Sequence, residues 1–255
     1  MRRLVVLPWV VWIAVFVLFP PGPAGAQGTL PENHYKTYET LGPALTIPMT
    51  LRDQFGFFTV SDITLEKFAN PVDKNGEGIF DFEAHQTWWR LFIPQAARTV
   101  VVADQFGAGE WTVGSAFYLL APALKNPPAE GGTLPDRNHY LCYEVLGGPS
   151  PGADVVLSDQ FGTITTQVGQ AKLLCNPVEK TVEDVSYPVV DPVVHLACYD
   201  IVDPNPYDVP LVAMDQFGFW SLVALQSQCL CVPATKGIVG TDESTWGRIK
   251  SLYAE

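Results

Sequence analysis

The sequence predicts an all-β protein of four internal units in A-B-A-B order. They are arranged as two tandem β-sandwich or barrel domains, with one four-bladed propeller-like ring as the alternative. Three observations lead there. The tetrapeptide Asp-Gln-Phe-Gly occurs four times, at 53–56, 104–107, 159–162 and 215–218, and internal repetition of this kind points to a repeated supersecondary unit. The copies follow alternating apolar runs such as 99–103, 154–158 and 209–214, the period of half-buried strands. Strong helix patterns are nearly absent.

Each unit can be justified in chain order. It opens on a strand that begins at a histidine: His34, His85, His139 and His195 precede their Asp by 19, 19, 20 and 20 residues. An aromatic stands four residues after each histidine, at Tyr38, Trp89, Tyr143 and Tyr199. The Asp-Gln-Phe-Gly itself reads as a hairpin hinge, because an aspartate at its first position caps nearby amides and a glycine at its fourth accepts positive φ. A burial requirement for Phe55, Phe106, Phe161 and Phe217 follows from that role. The returning stretch closes on a proline segment (Pro71, Pro122, Pro177, Pro233) and is expected to break or bend near Gly114 or Gly169.

Units one and three share further detail. Gly28-Thr29-Leu30-Pro31 is echoed by Gly132-Thr133-Leu134-Pro135, and Asn70-Pro71-Val72 by Asn176-Pro177-Val178. With the Pro- and Gly-rich segment 126–132 as a linker, the chain divides into a first double-repeat domain at 27–127 and a second at 128–238. Before them, Arg2 and Arg3 lead into an uncharged apolar run over 4–18 and the small residues Ala24-Gly25-Ala26. That is the pattern of a signal peptide over 1–26, and the run is short for a membrane span; an uncleaved anchor is the other reading. After them, 239–255 forms a tail in which 244–253 is a candidate short helix.

Charge narrows the function classes. The chain carries 27 acidic against 15 basic residues, for a net charge of -12; losing Arg2 and Arg3 with the leader takes it to -14. Nucleic acid is therefore not an expected partner. The localisation that follows is secreted, at the cell surface, in the periplasm or free, with no membrane span after cleavage.

The cysteines supply the sharpest pattern. Cys142 and Cys175 are 33 residues apart, as are Cys198 and Cys231. Within both units the first lies 17 before the Asp and the second 16 after it. The first two units lack both members together, with Thr37 and Ala69 in one, and Trp88 and Ala121 in the other. Joint loss fits a bridge, so Cys142 is paired with Cys175 and Cys198 with Cys231, leaving Cys229 as a free thiol. Loops of this length give roughly 3 to 4 kcal/mol in the chain-entropy model. Zinc is the rival reading, but no Cys-x-x-Cys pair is present.

Other candidates for chemistry resolve toward structure. A histidine aligned with an aromatic and an aliphatic on one strand face, as His139 is with Leu141 and Tyr143, reads as a packed side chain. The turn aspartates recur four times, which hairpins require and active sites do not. No phosphate loop, nucleophile elbow or zinc-protease signature occurs, so no catalytic residue, metal or cofactor is expected. Trp88, Trp89, Trp111 and Trp220 remain as candidate binding residues, since exposed tryptophan stacks on sugar rings.

The motifs His139 to Tyr143, Asp159 to Gly162 and Leu174 to Pro177, with their counterparts at 195–199, 215–218 and 230–233, resemble a secreted bacterial repeat domain of unknown function. Its pattern is His-x-x-Cys-Tyr, Asp-Gln-Phe-Gly and Leu-Cys-x-Pro, and the resemblance covers about residues 33–236; units one and two depart from it at both cysteine positions. That family has no established activity, so the resemblance implies a repeat unit and no mechanism. The expected function is a secreted, non-catalytic structural or interaction module whose partner is an extracellular protein or glycan. A carbohydrate-binding module using exposed tryptophan is the alternative, and an extracellular hydrolase stands behind it.

Overall fold

The computed structural model describes residues 32–203 and 205–238. The leader 1–26 and the tail 239–255, with its candidate helix, lie outside the described residues. Among the described residues there are strands and no helix. Unit one contributes β1 (His34–Glu39), β2 (Ala44–Asp53) and β3 (Gly56–Lys74). Unit two follows with β4 (His85–Ile93), β5 (Arg98–Asp104) and β6 (Gly107–Lys125). Unit three supplies β7 (His139–Gly147), β8 (Asp154–Asp159), β9 (Gly162–Val182) and the short β10 (Val185–Tyr187). Unit four ends the chain with β11 (His195–Ile201), β12 (Pro206–Asp215) and β13 (Gly218–Ile238).

The pairings close on themselves. Going round antiparallel ladders, β1 pairs β3, β3 pairs β4, β4 pairs β6, β6 pairs β7, β7 pairs β9, β9 pairs β11, β11 pairs β13, and β13 returns to β1. Eight strands thus form a ring. It is not a regular barrel, because the long strands run out of it and carry the hairpin partners β2, β5, β8 and β12 as arms. Each arm also reaches the far end of the long strand two units away. Strand β2 pairs β9 at 179–182, β5 pairs β13 at 234–238, β8 pairs β3 at Asp73 and Lys74, and β12 pairs β6 at Leu124 and Lys125.

This corrects the division into tandem domains at 127 and 128: the halves share one ring, which matches the propeller-like alternative in being closed but not in having blades. The physical reason is edge exposure. A half alone would present β1 and β6, or β7 and β13, as bare edges, and the β6–β7 and β13–β1 ladders remove them. Nor are there separate blades, since the ring ladders run without interruption from unit to unit. The segment 126–132 is a loop between two paired strands, anchored where Asn126 N–H donates to the Val212 carbonyl at 2.7 Å. At the other junction, a buried ion pair of Lys36 with Asp203 (3.3 Å) ties unit one to unit four.

The returning stretch does not break, but its register shifts where a bend was expected, between Val113 and Ala116 in β6 and between Val168 and Ala171 in β9. β6 and β9 are continuous and change partners instead: β9 pairs β8 through Gln167 and β11 from Val168 onward. The glycines serve close approach. A Cβ on Gly169 would lie 3.2 Å from the Asp200 carbonyl oxygen, and one on Gly114 would lie 2.8 Å from Glu144 Oε1.

Alternation gives the ring two apolar faces. The inner one takes residues from all eight ring strands and none from the arms: Tyr35, Ala69, Trp88, Leu120, Cys142, Cys175, Cys198 and Cys231 are among them. The outer face, with Tyr38, Phe68, Trp89, Leu119, Tyr143 and Tyr199, is covered by arm residues such as Leu51, Val102, Leu157 and Leu211. Both cysteine pairs lie inside at disulfide distance, with S–S 2.01 Å for Cys142–Cys175 and 2.04 Å for Cys198–Cys231. Cys229 is free and buried. The same cross-strand position holds Thr37 against Ala69 in unit one and Trp88 against Leu120 in unit two. The residue facing Trp88 is thus Leu120, not Ala121, which points to the outer face; an indole fills the volume that a bridge occupies elsewhere.

Candidate functional site

Two places concentrate polar side chains: the Asp-Gln-Phe-Gly turns and one mouth of the ring. At every turn the first Oδ of the aspartate accepts the N–H of the phenylalanine two residues on, at 2.7 to 2.9 Å. Asp and Gly face each other across the hairpin, and Gly107, Gly162 and Gly218 hold φ of +135°, +137° and +145°, where a side chain is strained. This is the cap read from the sequence.

The second carboxylate oxygen reaches across the molecule. Asp53 Oδ2 accepts the Tyr143 hydroxyl (2.8 Å) and Asn176 Nδ2 (2.9 Å). Asp159 Oδ2 accepts Tyr38 (2.5 Å) and Asn70 (3.2 Å). Asp104 Oδ2 accepts Tyr199 at 2.5 Å, and Asp215 Oδ2 accepts Trp89 Nε1 at 2.8 Å and the Thr87 hydroxyl at 2.5 Å. The aromatic four residues after each histidine therefore clasps the turn two units away. The same aromatic meets the turn phenylalanine edge-on, at centroid distances of 4.8 to 5.2 Å in all four cases. Burial, followed by the neighbouring carboxylate, pushes the hydroxyls of Tyr38 and Tyr143 far above the usual phenol range.

Phe55, Phe106, Phe161 and Phe217 are partly buried and pack against the core, as the hairpin role requires. One side meets the clasping aromatic, and for three of them a lysine ammonium covers another: Lys236 over Phe55 (3.9 Å), Lys125 over Phe161 (4.7 Å) and Lys180 over Phe217 (4.6 Å). These lysines, with Lys74, stand 21 residues after the Asp in all four units, a spacing that sequence reasoning missed. Burial brings Lys180 and Lys236 down to about 7.

The histidines are packed side chains. His139 Nε2 lies 2.8 Å from Gln216 Oε1, His34 Nε2 lies 3.1 Å from Gln105 Nε2, His195 Nδ1 lies 2.8 Å from the Val193 carbonyl, and His85 stacks on Phe68. Burial drives His85 and His139 to about 3 and His195 to about 4, so all three are neutral at physiological pH. Among the described residues no three of His, Cys, Asp and Glu converge as a metal site would require.

The tryptophan candidates are corrected. Trp88 and Trp89 are fully buried and Trp111 nearly so. Trp220 is half-buried; it packs edge-on against Trp89 at 5.4 Å and donates to Asp215 Oδ1 at 3.0 Å. The reason lies in the ring: Trp88 fills its interior, while Trp89 and Trp111 belong to the layer between ring and arms. The four do not make one exposed platform.

The ring's two ends differ. At one end Glu32 closes the interior, accepting the hydroxyls of Tyr35 (2.7 Å) and Tyr140 (3.1 Å). The other end opens into a cavity of about 590 Å³ lined from all four units. Lys67, Arg90, Glu144, Lys172 and Asp200 surround it, and Leu173, Ile201 and Cys229 supply buried apolar surface. The Arg90 guanidinium lies 4.4 Å from the Phe117 ring centroid, with Nη1 3.5 Å from the Tyr118 hydroxyl. Burial raises the Cys229 thiol above its usual range.

Fold and turns together define an all-β ring of repeated units locked by reciprocal aspartate clasps. The chain belongs to a family described as a repeat of unknown function (DUF7450), whose model matches residues 85–233. No curated protein and no solved structure matches it.

Proposed function

We propose that the chain is a secreted, non-catalytic interaction module: a rigid ring that presents one binding cavity at its open mouth. The observation that carries this reading is how the repeated motif is used. All four turn aspartates accept hydrogen bonds on both carboxylate oxygens, which leaves them poorly suited to general acid or base work and well suited to rigidity. The cavity, within the usual size range for small ligands, has walls fixed by ring strands rather than loops. Export fits the two cysteine pairs, which persist in oxidising compartments. The sugar-stacking alternative is weakened because Trp88, Trp89 and Trp111 are buried and Trp220 is half-buried against Trp89.

Backbone amide NMR of the mature chain, titrated in turn with amino acids, short peptides and neutral sugars, tests the reading. Saturable shifts confined to the mouth residues are expected for at least one class. Shifts confined to the arms, or turnover of an offered glycoside, ester or peptide, would contradict it.

A further inference from the structure

The mouth holds unpaired charges of both signs. Among the described residues neither Arg90 nor Lys67 has a carboxylate within ion-pair distance, in a chain where acids outnumber bases by 27 to 15. Both instead lie against aromatic rings, Arg90 on Phe117 and Lys67 5.6 Å from the Tyr118 centroid. Glu144 also lacks a cation partner; its Oε1 accepts only the Ser115 N–H at 3.2 Å. Of the other charged side chains nearby, only Lys172 and Asp200 line the cavity, and they pair with each other at 3.0 Å. Glu66 and Glu39 stand outside its lining and accept from neutral donors, the Tyr118 hydroxyl at 3.0 Å and Gln228 Nε2 at 3.2 Å. Two cations and one carboxylate thus border one cavity without neutralising each other, above a floor of Leu173, Ile201 and Cys229.

Resting on the mouth as the binding site, we infer that its ligand is a small zwitterion of the α-amino-acid type carrying an apolar side chain. A guanidinium backed by an aromatic ring offers its planar donor edge to a carboxylate, and Lys67 adds a second positive charge. The ammonium of the same ligand meets Glu144, and its apolar group meets the floor. A ligand with one charge would leave the opposite side of the mouth unsatisfied. A neutral sugar would satisfy neither.

The test compares L-phenylalanine with N-acetyl-L-phenylalanine, which lacks the ammonium, and L-phenylalaninamide, which lacks the carboxylate, with glucose as a neutral probe. Each is titrated into the intact mature protein and followed through the amides of Lys67, Tyr118, Glu144 and Gln228. Phenylalanine is expected to bind at least tenfold more tightly than either blocked form. Arg90→Gln should weaken phenylalanine more than fivefold while leaving phenylalaninamide within twofold. Lys67→Gln should do the same to a smaller extent, and it keeps the test open should loss of the Arg90 stack disturb folding. Equal affinity for the three amino-acid probes overturns the zwitterion assignment. If glucose moves the mouth amides and phenylalanine does not, the mouth stands as the site and the ligand class falls. If no probe of any class moves them, both fall.

Discussion

Replacing Tyr143 by Phe removes one hydroxyl and leaves the ring in its edge-on contact with Phe55. The lost bond is a hydroxyl donating to a carboxylate, 2.8 Å long and between units 90 residues apart. Hydrogen bonds to charged groups contribute about 1.5–3 kcal/mol, and a chain of this size loses about 2–4 °C per kcal/mol. Tyr143→Phe should therefore lower the melting temperature by roughly 6 °C. Asp53→Ala should cost more, about 3–5 kcal/mol, because it removes the turn cap and strands Asn176 and Tyr143 together. In a double-mutant cycle by urea unfolding, the pair should couple by at least about 1 kcal/mol. Thr46→Val, which breaks an exposed bond to Asp62 (2.9 Å), is the control and should stay within about 0.5 kcal/mol. A Tyr143→Phe variant as stable as its parent, or a coupling near zero, refutes the clasp as a source of stability.

Acid should destabilise the ring as pH falls below about 6.5. His85, His139 and His195 stay neutral when folded down to about 3 to 4, whereas an unfolded chain takes up those protons near 6.5. Stability is thus whole above 6.5 and falls with pH toward 4, by about 2 kcal/mol per histidine between pH 7.5 and 5; a melting temperature at pH 5 equal to that at 7.5 contradicts this. Lys180, buried with no hydrogen-bond partner for its Nζ, imposes a cost of the same sign that grows from pH 10.5 down to about 7. Lys180→Met should therefore stabilise the protein at pH 6 more than at pH 9.5, and thermal melts at the two values decide it. Non-reducing peptide mapping should return Cys142–Cys175 and Cys198–Cys231 with Cys229 unmodified; a Cys198–Cys229 link would refute the inner-face assignment. Reduction should remove about 4 kcal/mol per bridge.

Much of the local structure was legible. The hairpins, the cap at each aspartate and the cysteine pairs follow from residue type and spacing, because each is a contact between near neighbours or between equivalent positions of one unit. The tertiary arrangement was not. Likeness between units one and three suggested paired domains, yet the structure shows another relation: those two units clasp each other through Tyr38 with Asp159 and Tyr143 with Asp53, as units two and four do through Trp89 with Asp215 and Tyr199 with Asp104. A pairing across a closed ring leaves no period in the sequence. The Pro-Gly composition of 126–132 reports a loop, and a loop between paired strands has the same composition as a linker between domains. Trp88 and Trp89 show the limit for the site: adjacency placed them on opposite faces, but only closure of the ring makes both faces interior. The lysine 21 residues after each aspartate was a readable signal for the capped phenylalanines, obscured because Lys125 and Lys236 lack the Asn-Pro-Val context of Lys74 and Lys180.

The interlocking of the halves can be measured by introducing a protease site between Pro127 and Gly132 in the oxidised protein and cleaving it under native conditions. Neither disulfide spans that loop, so the fragments are held together by non-covalent contacts alone, among them the β6–β7 and β13–β1 ladders, the arm pairings, the four clasps and the Lys36–Asp203 ion pair. The account predicts that the nicked protein elutes by size exclusion as one particle of unchanged size and melts in one transition. Separation into two folded, monomeric fragments would contradict it.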